Sequence, residues 1–542
     1  MRSHRDALVR RTKRGIVIAL ALALVWSCSR EVHQGTAVSK RQEPADGGRV
    51  VRRIESDVKT LNYILHTEED ERQVLAYVHD PLIALDQNLQ AAPGIAVRWE
   101  INNGGREYLL HLDPRATFSD GTPVTGRDVV FTLNAILEHN SPQFSAAFSS
   151  LDRTRTVAID DRTVRVVFTE ARAAQLLAFN IGVLPERVYG RGVDFMKTTA
   201  VVGTGPYVLK ERKTGQSILL VRRPDYWRER PAIGSILFRI VSDDTVAWNA
   251  LMRGDLDVGR VSNEIWWREK DKPAVLRQVR FVDAWLLAYN CFAWNLEHPL
   301  FRDVRTRRAL ALSFDRDAVV DRLYHGQARP VSGPFTPDQW AYNPAILPAP
   351  FDLREAASLL REAGWRDVDG DGTLDRGGHA FAFTMLIPVS PTARDQAQIL
   401  QDALRQIGVR MEISAMDSAA FFDRVLHRNF EAAFFAWNNE VDPDPYALFH
   451  SSQLAPEGLN VGGYRSREAD ALMDRGRREL DPAARRAIYH ELHAVLARDQ
   501  PYLFTVQVAS KWAVNGRVQN VRVSRGFGLF LWQPGPVEWR VQ

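Results

Sequence analysis

A chain of 542 residues, 45% hydrophobic and 25% charged, is ordinary in composition for a globular protein and long enough for roughly three or four domain-sized units. Its formal net charge of +4 comes from the N-terminus, where six basic side chains within residues 1–14 face Asp6 alone; the remainder is slightly acidic. That excludes the clustered positive footprint of a nucleic-acid-binding protein, and the runs Arg302–Arg308 and Arg475–Arg478, on helical patterns with acidic neighbours, read as solvated faces.

In chain order, the basic start is followed by an apolar run, Ile16 to Trp26, too short for a comfortable span. Residues 1–28 therefore read as an export signal, with a single-pass anchor as the alternative. Ser27-Cys28 resembles the lipobox of bacterial lipoproteins, in which the Cys takes lipid after cleavage; Trp26 departs from that pattern, where a smaller residue is usual. Residues 29–48, polar and aperiodic, read as a flexible tether. If Cys28 carries lipid, Cys291 has no partner for a disulfide, and its apolar setting, Leu287 to Phe292, predicts a buried small side chain.

From residue 49 strands and helices alternate, which gives an α/β chain with mixed sheets. Residues 106–136 are the clearest block. Tyr108, Leu110 and Leu112 alternate as a strand, Asp120-Gly121 with Pro123 turns, and Thr125 with Asp128 caps a helix. Val130, Leu133, Asn134 and Leu137 are the expected inward stripe of that helix. Residues 157–168 read as a hairpin about Asp160-Asp161, and Gly203 to Tyr207 as a tight loop entering a strand. Strands are expected around Ile218, Ile236 and Val258, with a short helix over 245–251. In the second half, helices are expected over 301–324 (a pair about Asp315-Arg316), 353–363, 393–407, 421–426, 469–478 and 483–498, with strands at 409–413, 432–436 and 506–514.

The run from Phe118 to Thr125, Phe-Ser-Asp-Gly-Thr-Pro-Val-Thr, with Asp128 to Thr132, closely resembles a block of the family-5 extracellular solute-binding proteins, the peptide receptors of bacterial ABC importers. Further landmarks follow in the family's order: Pro81-Leu82, Pro93-Gly94, Val202 to Tyr207, Tyr226-Trp227, Gly254 to Val258, Tyr289-Asn290, Phe301 with Asp303-Val304-Arg305, Asp315-Arg316, and Trp437 with Asp442-Pro443-Asp444. The resemblance covers nearly the whole exported chain. It implies a periplasmic-binding-protein type II clamshell: lobe I from 49–88, 203–282 and 505–542, an inserted domain over 89–202, and lobe II over 283–504. It also implies open and closed forms, a peptide ligand and an ABC permease as partner. The protein is expected to be exported, membrane-anchored through lipid, monomeric, without nucleic acid and not an enzyme.

Hydrolase chemistry lacks its motifs. There is no G-x-S-x-G, and His490 and His493 stand three apart instead of the four of a zinc helix. Asp367, Asp369, Asp371 and Asp375 with Gly372 match the start of an EF-hand-type loop, but its twelfth position is Gly378. A structural calcium ion and a self-bonded Asx turn remain equal readings, and no other cofactor is expected. The ligand-contact candidates are Trp437, Asn438, Glu440 and Asp442, an aromatic, an amide and acids just beyond an apolar strand. In peptide-binding members an Asp shortly after this Trp captures the α-amino group; Glu440 stands nearest that position and Asp442 is the fallback. Asp444 reads as a helix cap. Dipeptide-specific relatives carry an Arg on the strand before the 393–407 helix, where this chain has Met385-Leu386-Ile387-Pro388, so an oligopeptide is expected. Trp266, Trp267 and Trp285 are wall or core residues. Alternatives are the same fold with an oligosaccharide, opine or metal chelate, a secreted hydrolase, or a sensor whose partner is a membrane kinase.

Overall fold

The computed structural model describes residues 47–523 and 535–542, apart from Arg191 and Met196; the signal segment and Cys28 lie outside the described residues. Two sheets organise the chain. In the first, strand Arg49–Ile54 lies parallel to Ser235–Ile240 and beside Val258–Val261. Ser217–Arg222 and Tyr207–Lys213 extend one edge; Val506–Asn515 and Val279–Trp285 extend the other. The second sheet runs Arg410–Met416, Ala382–Pro388, Ala432–Asn438, Ala288–Trp294, Tyr502–Phe504. Its three parallel strands are joined by helices Pro391–Gln406 and Ser418–Leu426, the crossover that parallel pairing requires. The first of these helices has local signals at both ends: Ser390 accepts the Ala393 N–H, Pro391 fills the first position, and Gly408 takes φ of +78 just beyond the last turn.

Period-two alternation divides the second sheet's core. Ala432 and Phe434 point to one layer, with Trp294, Phe301 and Leu400; Ala433 and Phe435 point to the other, with Tyr489, Leu492 and Leu496. A smaller four-stranded sheet, Ala96–Asn102, Glu107–Leu112, Thr163–Val167 and Val157–Ala158, packs on helix Gly126–Glu138. Its hairpin pairs Ala158 with Val164, and Tyr108, Leu110 and Leu112 are buried. The capping box of Thr125 and Asp128 is formed on both sides. Val129, Thr132, Leu133 and Ile136 are buried side chains of this helix; of the expected stripe Leu133 is buried, Val130 and Leu137 pack half-buried against the same core, and Asn134 is half-buried. Asn134, the polar member of that stripe, accepts the Arg153 Nε–H at 2.8 Å.

The chain passes from the first sheet to the second between Trp285 and Ala288, and back between Phe504 and Val506. The two passages bond one another. Leu286 N–H donates to Val508 O at 3.3 Å, Thr505 N–H to Asn290 O at 2.9 Å, and Gln507 Nε2 to Leu286 O at 2.8 Å. A third strand, Ala328–Pro330, pairs with Val506 to Val508 beside them.

Two sequence features take structural roles. Arg307, in a run expected to be solvated, is buried and donates to the carbonyls of Phe301, Arg302, Asp499 and Gln500. His493 is fully buried: its Nδ1 accepts the Asn343 N–H at 3.1 Å, which leaves Nε2 as the donor to Ser332 Oγ at 3.1 Å. Burial, aided by His490, pushes this imidazole down to about 4. Because the folded value lies below the unfolded one near 6.5, its contribution is complete above pH 6.5 and is lost as pH falls toward 4. His493→Gln keeps one acceptor and one donor but does not titrate. In urea titrations, the unfolding free energy of the unsubstituted protein should drop relative to the variant by about 3 kcal/mol between pH 7 and pH 4; parallel pH profiles would refute a neutral buried His493.

Candidate functional site

Strand Ala432–Asn438 runs antiparallel to Ala288–Trp294, which begins just past the passage from the first sheet, so its C-terminal end arrives where the two sheets are joined. Ala288 pairs with Asn438 and Tyr289 with Trp437. One residue further, Asn439 N–H donates to Leu287 O at 2.6 Å, on the passage itself. The turn that follows is held from within lobe II. The Asn439 amide donates to Pro334 O at 2.8 Å and to Gln339 Oε1 at 2.9 Å, and Gln339 Nε2 reaches Glu440 O at 3.3 Å.

The four candidate side chains separate at this turn. Trp437 is half-buried and stands edge-on to Phe435, with centroids 5.3 Å apart and an angle of 87°, so it packs on the core layer of Tyr489. Asn438 is exposed. Glu440 is also exposed, and among the described residues its carboxylate accepts no hydrogen bond. The surrounding protein still raises its pKa by desolvation, against a smaller lowering by Arg72, which belongs to helix Glu69–Val78 of the first lobe. Asp442 is 8% exposed and is gripped by Arg485, Nη1 to Oδ2 at 2.5 Å and Nη2 to Oδ1 at 2.6 Å. Both of its oxygens are thereby engaged. Asp444 accepts the Tyr446 N–H at 3.1 Å and pairs with Arg477 Nε at 2.9 Å.

Between Glu440 and Asp442, Val441 packs with Leu85, Leu89, Leu177 and Leu287, an apolar cluster drawn from segments far apart in the chain. The turn therefore presents one uncommitted carboxylate beside a small apolar cluster that joins it to Leu85, Leu89, Leu177 and Leu287. Such a group is suited to an ammonium ion, because its desolvation is offset only when a cation arrives. Arg72, Gln339 and Arg485 all bear on this turn and lie at least 43 residues from Asp442; nothing local in the sequence marks them.

The tryptophans take different places. Trp266 is buried with the Lys511 ammonium 4.4 Å above its ring, whereas Trp267 is 48% exposed and stacks on His325 at 4.3 Å. Trp285 lies under the Arg329 guanidinium at 3.7 Å. In the acidic loop, Asp367, Asp369 and Asp375 bring one carboxylate oxygen each within 4.8 Å of the others. Asp371 stands outside that group and accepts the Thr373 N–H at 2.7 Å, while Asp367 accepts the N–H groups of Gly370 and Gly372. A cation held here would rest on Asp367, Asp369 and Asp375. His490 and Glu491 belong to the helix that carries His493, whose two ring nitrogens are already bonded to Asn343 and Ser332.

A family model described as bacterial extracellular solute-binding proteins, family 5, middle region, matches residues 90–457. The chain belongs to that family. Protein XP55 of Streptomyces lividans is 30% identical over 94% of this chain and 93% of its own. The oligopeptide-binding protein AppA of Bacillus subtilis is 26% identical over 90% and 91%. The solved structure of that AppA with a nonapeptide matches with a TM-score of 0.76 at 24% identity, over 92% of this chain and 100% of that one. NikA of Brucella suis in complex with Fe(III)-EDTA matches with a TM-score of 0.81 at 20% identity, over 91% and 100%. The fold is thus the two-lobed type II clamshell with mixed sheets and an inserted domain, and the family is one of binding proteins. Among the described residues no helix is long and apolar enough to cross a membrane.

The division of labour between the acids has a measurable consequence. Asp442→Asn leaves Arg485 buried without its counter-charge, which should cost about 3–5 kcal/mol of unfolding free energy in urea. Glu440→Gln, with no bond to lose, should cost under about 0.5 kcal/mol. Equal losses would contradict this assignment.

Proposed function

We propose that this protein is the extracytoplasmic receptor that delivers peptides, and oligopeptides in particular, to an ABC importer permease, and that Glu440 receives the ligand's α-ammonium group. Membership of the solute-binding family and the likeness to an oligopeptide-binding protein support the class of ligand. The observation that carries the site is the uncommitted carboxylate of Glu440 on a turn whose neighbouring acids are both paired.

On this reading an open form admits the peptide, and contacts to both lobes favour the closed one. Ligand shifts that balance only by the difference between its affinities for the two forms. Hydrogen bonds to an extended peptide backbone supply affinity that is largely indifferent to side chains. An ammonium on Glu440 adds direction, because only one end of a peptide carries it.

Calorimetry with a mixed-sequence nonapeptide and its N-acetylated form tests the assignment. The unsubstituted protein should bind the free peptide roughly 10–100 times more tightly than the acetylated one, as one charge-assisted bond implies. Glu440→Gln should abolish that preference. Equal affinity for both peptides removes Glu440 from the site, and binding of neither removes the peptide reading.

We infer further that Cys28 carries lipid and anchors the protein to the membrane, on the strength of the preceding basic and apolar segments and Ser27. Expressed in a bacterial host, the unsubstituted chain should fractionate with membranes and incorporate labelled palmitate. Cys28→Ser should lose the label; retention of label by the variant would rule out this Cys as the attachment point.

A further inference from the structure

The lobes touch at a second place, on the inserted domain. The loop after strand Thr163–Val167 sends the Ala173 N–H to Arg477 O at 2.9 Å, a backbone bond between the inserted domain and lobe II. Beside it, the strand turn at Gly105 lies against Leu480. A methyl group at Gly105 would stand 3.1 Å from both Leu480 methyls and 3.6 Å from Ala171 Cβ. Leu480 is otherwise 44% exposed, a large apolar side chain set against Gly105 of the inserted domain.

Both partners are held firmly. On the inserted domain, Arg172 ties the loop down by donating to Ala146 O at 3.1 Å and Ser149 Oγ at 3.2 Å. On lobe II, Arg477 is fixed by Asp444 at 2.9 Å and lies 4.0 Å over the Tyr446 ring. Arg477 lies in the last turn of helix Arg467–Arg478, residues 479–481 join it to helix Pro482–Asp499, and the second of these helices carries Arg485, which grips Asp442. The connector therefore belongs to the same block that holds the turn bearing Glu440.

We propose that Ala173 with Gly105 on one side, and Arg477 with Leu480 on the other, form a closure latch that sets the open–closed balance without touching the bound solute. It goes beyond the ligand reading above, since it requires only two lobes that separate. A single backbone hydrogen bond between half-buried residues and one leucine contact are weak, which suits a contact that must break in every cycle. Its placement on the Asp442–Arg485 block lets docking of the inserted domain bear on the turn's orientation.

The test is hydrogen exchange by mass spectrometry on the full chain without ligand, comparing unsubstituted protein with Leu480→Asp, a surface change. The peptide spanning residues 170–178 should be protected in the first, and exchange at Ala173 should speed up at least tenfold in the variant. Helix Pro482–Asp499 should keep its protection, which confirms an intact fold. Asp444→Asn, which frees Arg477, should give the same result to a smaller degree. An Ala173 amide already unprotected in the unsubstituted protein, or unmoved by Leu480→Asp, overturns the latch. No solute enters the measurement, so the fate of the peptide reading is decided separately.

Discussion

Everything distinctive in this molecule depends on how the chain gets from one sheet to the other. It does so through two neighbouring extended passages that hydrogen-bond to each other, with Ala328–Pro330 paired alongside. Extended backbone resists stretching but turns easily about a few torsions, so such a junction favours rotation of the lobes over their separation. Gln507 reinforces it from the side, bonding Leu286 O and the Asp338 carboxylate at 2.8 Å each. Since Asn439 N–H is bonded to the same passage, the acidic turn sits close to the axis of any lobe motion. A group there moves little while the walls around it close.

Near that axis the distribution of polar partners decides which residue remains available. Three acids follow one another at 440, 442 and 444, alike in the sequence. Arg485 takes both oxygens of Asp442, and Arg477 with the Tyr446 N–H takes Asp444. Glu440 is left with only the distant charge of Arg72. The paired acids make the turn stiff, and stiffness is what a single carboxylate needs to recognise an ammonium group without first paying to be ordered. The arrangement works as one unit, with two structural acids and one free.

Local features of this fold were readable because their causes are local. The strand at Tyr108–Leu112, the capping box at Thr125, and the helix over 391–406 with Ser390 before it and Gly408 after it each follow from a few adjacent residues. How deeply each side chain of the helix after Thr125 sinks is less local: Val129 is buried whereas Val130, equally apolar, is half-buried at the rim of the same core. Arg307 reads as a surface charge in the sequence, because half of its acceptors are carbonyls at 499 and 500, almost two hundred residues on. The turn itself was legible as a place, from Trp437 and the acids. The separate roles of those acids were not, since Arg485 and Arg477 enter only through tertiary packing.

The energetics of closure follow from the same contacts. The seam between the lobes is small: Leu85, Leu89 and Leu287, with Leu177 and Val441 at its edge. Burying a few such side chains is worth roughly 1.5–3 kcal/mol each at most, and much of that area is covered by neighbours of the same lobe in either form. Against this stands the desolvation of Glu440, which closing without a cation would leave unpaired. The two terms are opposite in sign, so the apolar seam acts against the desolvation of this carboxylate. On the proposed role of Glu440, a solute that brings a positive charge there removes the opposing term and leaves the apolar seam to act. If Glu440 receives the solute's charge as proposed, discrimination between filled and empty molecules rests on a carboxylate that accepts no hydrogen bond among the described residues.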